Sequence, residues 1–159
     1  MKKAIFILIS CVLASCSRDN INILENEHVR FGFSAENGAL ISLYNVKDGV
    51  EHIDSAKAVC GPLWEFEYMP EVPAVENLPE VVSFKKKGNG CLEIYWRQEE
   101  GVEGPELKAT VRFKKDRPSL ADWYIEAEGL GGLGVKAIRF PLINGVKPQN
   151  EKDELALGV

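Results

Sequence analysis

The chain has 159 residues with a formal net charge of −5, enough for one ordinary domain once any leader is removed. Its one basic run is Lys85-Lys86-Lys87, and an acidic chain without a clustered positive face is excluded as an electrostatic nucleic-acid binder. That run precedes Gly88-Asn89-Gly90 and is expected to be a solvated turn.

In chain order, Lys2 and Lys3 form a charged start, and residues 4–12 form an apolar run too short to span a bilayer comfortably. Leu13-Ala14-Ser15-Cys16 resembles a bacterial lipobox, in which small residues precede a cysteine that is lipidated and begins the mature chain. Residues 1–15 are therefore expected to be a lipoprotein signal peptide, with Cys16 as the lipidation site; an ordinary signal peptide with an incidental cysteine is the alternative. Stable anchoring needs more than one acyl chain, which bacterial lipoproteins supply. Ser17 stands where lipoproteins kept in the inner membrane often carry Asp, which favours the outer membrane. Residues 16–27 are expected to be the lipidated cysteine and a polar tether, and 28–159 the folded domain.

Residues 29–53 hold the clearest local pattern. Val29, Phe31 and Phe33 alternate with Arg30 and Gly32, the period of a half-buried strand. Asn37-Gly38 supplies residues that tolerate positive φ, as a tight hairpin needs. Ile41 and Leu43 resume the alternation, and Lys47-Asp48-Gly49 offers the next reversal. Leu63-Trp64-Glu65-Phe66-Glu67-Tyr68 reads as a strand with its aromatics on one face and Glu65 and Glu67 side by side on the solvent face. Residues 69–79 contain several prolines and form an irregular connection.

Residues 81–85 and 91–97 predict a second hairpin, with Leu92, Ile94 and Trp96 opposite Glu93, Tyr95 and Arg97. The acidic stretch 98–106, with Glu99, Glu100, Glu103 and Glu106, lacks the spacing of a known calcium loop and reads as solvated. Leu107, Ala109, Val111 and Phe113 then alternate cleanly with charged and polar residues, as do Ala121, Trp123, Ile125 and Ala127. Residues 135–143 predict a last strand whose phase shifts at Ala137-Ile138, as a bulge requires, and Pro141 places its end or a sheet edge there. Residues 129–134 match G-x-G-x-x-G by letter. A strand with a proline follows instead of a helix, so no dinucleotide site is expected.

No helical periodicity runs over three turns outside the leader, and strands recur with glycine or proline punctuation. The class is all-β, an antiparallel sandwich. Once Cys11 and Cys16 are assigned to leader and anchor, Cys60 and Cys91 remain in a compartment that permits disulfides. A cross-strand bridge between them is open, and buried free thiols are the favoured alternative. His28 and His52 have no motif around them, and no metal site or cofactor is expected.

The order of these elements resembles a known family. The motif F-x-F-x-x-x-N-G-x-L-x-x-L over residues 31–43, the strand L-W-E-F-E-Y, and I-R-F-P-L-I-N-G over residues 138–145 are similar to the N-terminal, galactose-mutarotase-like sandwich of large bacterial glycoside hydrolases. The resemblance covers about residues 28–150. It implies a partial supersandwich that packs against, or borders, a separate catalytic barrel. It carries no catalytic residue to this chain, since the family's histidine and glutamate pair has no matching positions. It also implies a non-catalytic, carbohydrate-associated or accessory envelope lipoprotein. The alternatives are part of a glycosidase or mutarotase-like enzyme whose catalytic portion lies elsewhere, and a purely structural lipoprotein. Trp64, Phe66, Trp96 and Trp123 are the candidate sugar-stacking or core aromatics.

Overall fold

Alternation along each strand decides which side chains leave water. In a computed structural model, residues 20–58, 61–73 and 78–148 are described. They form β1 (Ile21–Glu25), β2 (Val29–Ser34), β3 (Leu40–Asn45), β4 (Val50–Glu51), β5 (Glu65–Tyr68), β6 (Val81–Lys86), β7 (Cys91–Arg97), β8 (Glu106–Phe113), β9 (Ala121–Glu128) and β10 (Val135–Arg139). One helical turn, α1 (Ser55–Ala58), follows β4. The strands pair antiparallel as β1-β2-β3-β4, β6-β7-β8-β9 and β5-β10.

The two layers meet through the expected apolar rows. Leu92, Ile94 and Trp96 of β7 and Leu107, Ala109 and Val111 of β8 are buried. Phe31 and Phe33 of β2 and Trp64 and Phe66 at β5 join them in one core. Phe31 stacks on Phe113 with ring centroids 5.6 Å apart and meets Trp123 edge-on at 5.3 Å. Trp64 meets Trp96 edge-on at 6.2 Å. These cross-layer contacts make the molecule an all-β sandwich, with β2 and β5 both lying on the β6–β9 sheet.

Four local expectations are corrected. Residues 21–25 of the expected tether are strand β1, paired with the whole of β2 from Ile21↔Ser34 to Glu25↔Arg30. Leu24 is buried there, while Ile21 and Ile23 are exposed, so the strand sends its more obvious apolar residues outward. In the first hairpin only Gly38 takes a positive φ, at 77°. Asn37 instead accepts the Ala39 N–H on Oδ1 at 2.9 Å, and the register slips after Gly32↔Ser42 to Phe33↔Leu40. β5 begins at Glu65, although the Leu142 N–H still reaches the Leu63 carbonyl at 2.7 Å. β10 ends at Arg139, before Phe140-Pro141, and its register shift falls between Val135 and Ala137.

Candidate functional site

β5 gathers aromatic side chains at the edge of the core. Trp64 and Phe66 pack with ring centroids 4.8 Å apart, and Phe66 meets Tyr68 edge-on at 6.1 Å. Beside them lies a cleft of about 380 Å³ whose wall includes Trp64, Phe66, Tyr68 and Leu142, with Glu65 and Asn144 as polar members. Trp64 is buried, and its indole Nε1 has no hydrogen-bond acceptor among the described residues. Leaving a buried donor unpaired costs about 1–3 kcal/mol. Trp96 shows the alternative, since its Nε1 donates to the Asn37 carbonyl at 2.8 Å. The structure thus retains one unused donor, itself buried from solvent, on a tryptophan that lines the cleft.

The other candidate aromatics divide by burial. Trp96 is 1% exposed and serves the core. Phe66 is also a core residue at its inner end. Trp123 is half-buried between Phe31, Phe33 and Phe140, with part of its ring left to solvent.

Neither sequence-paired set of carboxylates is arranged as an acid and a base. Glu67 receives a hydrogen bond from Lys136 Nζ at 2.7 Å and lies 3.7 Å from Arg139 Nε. Lys136, by that bond and by its charge, holds the Glu67 carboxyl below its ordinary value, and Arg139 adds to it. A general acid in sugar chemistry needs the opposite displacement. Glu65 pairs with Arg139 at 3.3 Å, and Glu126 pairs with Lys108 across β8 and β9. In the acidic stretch, Glu106 belongs to β8 and faces Arg97 at 3.3 Å.

The histidines, separate in sequence, line one surface cavity. His28 precedes β2 and His52 follows β4, and β3 lies between those strands. The His28 carbonyl accepts the Val46 N–H and the His52 N–H donates to the Leu43 carbonyl, each at 2.9 Å. Together with Tyr44, Asn45 and Asp48 they border about 450 Å³. No motif signals this meeting, because strand register creates it. The polar groups there are largely spent on the turn: Asn45 Nδ2 donates to Asp48 at 2.7 Å, and Asn45 Oδ1 accepts the Lys47 and Asp48 N–H groups at 3.1 Å. His28 Nε2 lies 3.3 Å from Glu27, away on an exposed carboxylate.

Among the described residues, no group of three or more His, Cys, Asp or Glu side chains is placed to hold a metal ion. Cys91 is a buried free thiol; Cys60 and Cys16 lie outside the described residues. No helix among the described residues is long and apolar enough to cross a membrane. No protein-family model, curated protein or solved structure matches this chain.

Proposed function

We propose that this chain is an envelope lipoprotein, anchored through Cys16 in the outer membrane, whose sandwich is a carbohydrate-associated accessory module of the galactose-mutarotase-like kind and is not catalytic by itself. The observation that carries the reading is the β5 cleft, where an aromatic wall and the polar residues Glu65 and Asn144 occur together. Sugar rings present apolar C–H faces and a rim of hydroxyls, and sites of this composition hold both. A single shallow cleft of this kind supports a Kd of roughly 0.1–1 mM, about 4–6 kcal/mol.

A glycan screen with the detergent-solubilised chain, followed by titration monitored through tryptophan fluorescence, tests the cleft. Tyr68→Ala and Asn144→Ala are expected to weaken binding by about tenfold each while thermal unfolding stays cooperative. A folded protein that binds no glycan, or binds equally well without Tyr68 and Asn144, overturns the carbohydrate reading. The anchor has its own test. Cys16→Ala is expected to move the protein out of the membrane fraction and to abolish incorporation of labelled lipid; retention of both sinks the lipoprotein reading. A second reading, the front sandwich of an enzyme whose catalytic portion lies elsewhere, is favoured by the half-covered apolar row along β9 and β10.

A further inference from the structure

β9 is the outer strand of its sheet. It pairs with β8 along its whole length, from Glu106↔Glu128 to Phe113↔Ala121, and among the described residues no strand pairs with its other side. Its inward row, Ala121, Trp123, Ile125 and Ala127, is only half-buried, whereas Leu107, Ala109 and Val111 beside it on β8 are fully buried. The opposite layer does reach this row, because Trp123 touches both Phe31 and Phe140. The missing neighbour is therefore lateral. A long strand with unpaired backbone groups and an unfinished apolar row is the condition under which an extended segment adds to a sheet.

The outward row selects the occupant. It carries Asp122, Tyr124, Glu126 and Glu128, with Tyr124 57% exposed. Asp122 is held by Lys114 at 2.8 Å and Glu126 by Lys108, both on the β8 side. Glu128 instead stands opposite Glu106, acid against acid. A second copy of β9 fits poorly. Antiparallel pairing centred on Tyr124 sets Asp122 against Glu126; centring on Ile125 sets Asp122 against Glu128; parallel pairing sets each acid beside itself. Like charges opposed across a ladder are destabilising. A basic side chain beside Glu128 gains an acid that has no ion pair among the described residues, one beside Glu126 adds to its pair with Lys108, and Tyr124 offers a ring face for a cation.

We propose that the free edge of β9 is a docking site for an extended segment of a partner polypeptide in which apolar side chains alternate with Lys or Arg, the basic ones facing Glu126 and Glu128. The site uses none of the residues of the β5 cleft, so its success or failure is independent of sugar binding.

The test uses the full chain in neutral detergent micelles with synthetic peptides of about eight residues, the length of a long strand. One alternates valine with lysine, one valine with glutamate, and one is the lysine peptide interrupted by proline. The lysine peptide is expected to bind at least about tenfold more tightly than the other two, and to weaken about tenfold between about 50 and about 300 mM salt. Amide exchange should slow along residues 121–128. The double variant Glu126→Gln with Glu128→Lys should remove the preference for lysine while leaving thermal unfolding and the β5 cleft unchanged. Equal binding of the lysine and glutamate peptides, no binding, protection elsewhere, or a peptide-free dimer protected at β9 at about 50 mM salt, where repulsion between copies is little screened, would each overturn the proposal.

Discussion

Gly38 lies against the indole of Trp96. A Cβ added at Gly38 would stand 2.6 Å from Trp96 Cζ2, and the residue's φ is +77°. The same indole donates to the carbonyl of neighbouring Asn37, so loop and core tryptophan fix each other. Gly38→Ala therefore incurs both backbone strain and a displaced core ring, and is expected to cost about 2–4 kcal/mol. Gly88→Ala is the control: φ is +69° but nothing lies near its added Cβ, so only the conformational penalty remains, about 1 kcal/mol. Urea unfolding of both variants checks this, and equal losses would refute the role given to Trp96. The Asn-Gly pair was legible as a turn because its chemistry is local. The need for smallness was not, because Trp96 approaches from a distant strand.

At the scale of elements, the short strand β4 is held through Glu51. Ser42 Oγ donates to its carboxylate at 2.6 Å, the Leu43 N–H at 2.8 Å and the Ile53 N–H at 2.9 Å. Partial burial pushes this carboxyl up, but the three hydrogen bonds and the charge of Lys147 together outweigh it and leave the folded-state value below the ordinary one. A lowered carboxyl contributes stability that is fully present above the unfolded value, about 4.3, and is lost as pH falls through the folded value. Glu51→Gln is expected to cost about 1–3 kcal/mol at neutral pH and to flatten that acid limb. Urea midpoints measured from neutral pH to pH about 3 test the sign; an unchanged acid limb would show that Glu51 does not govern it. β1 gives a second test, since Leu24→Ala should cost about 2–4 kcal/mol if the strand is integral, and nearly nothing if residues 20–25 behave as a tether. Strands β7 and β8 were legible because each buries one clean row and wets the other. β1 was not, because a single buried leucine leaves no period to read. The same limit hid the histidine cavity, which depends on the β2-β3-β4 register, and the unpaired Trp64 N–H, which depends on which acceptors fold near it.

At the scale of the whole molecule, two tendencies oppose each other. Trp123, Ile125, Val135, Ile138 and Phe140 pack on the core yet remain only partly buried, and apolar surface left open to water favours association. The chain is acidic overall, with 24 Asp and Glu against 19 Lys and Arg, and β9 places acids along the edge by which copies would meet. Charge repulsion between copies is screened by salt, whereas apolar attraction is not weakened by it. The segment 17–159, which lacks the residues proposed as leader and anchor, should therefore bind a hydrophobic dye at every ionic strength. It should be mainly monomeric at about 20 mM salt and associate as salt rises through about 0.5 M, where the Debye length falls to a few ångströms. Sedimentation velocity with parallel dye titrations reads both quantities. Association that instead weakens with salt would mean that ion pairs, not the apolar row, join the copies. A dye-silent monomer at all salt concentrations would mean that the row is already covered, and the reading of β9 as an unfinished edge would fall with it.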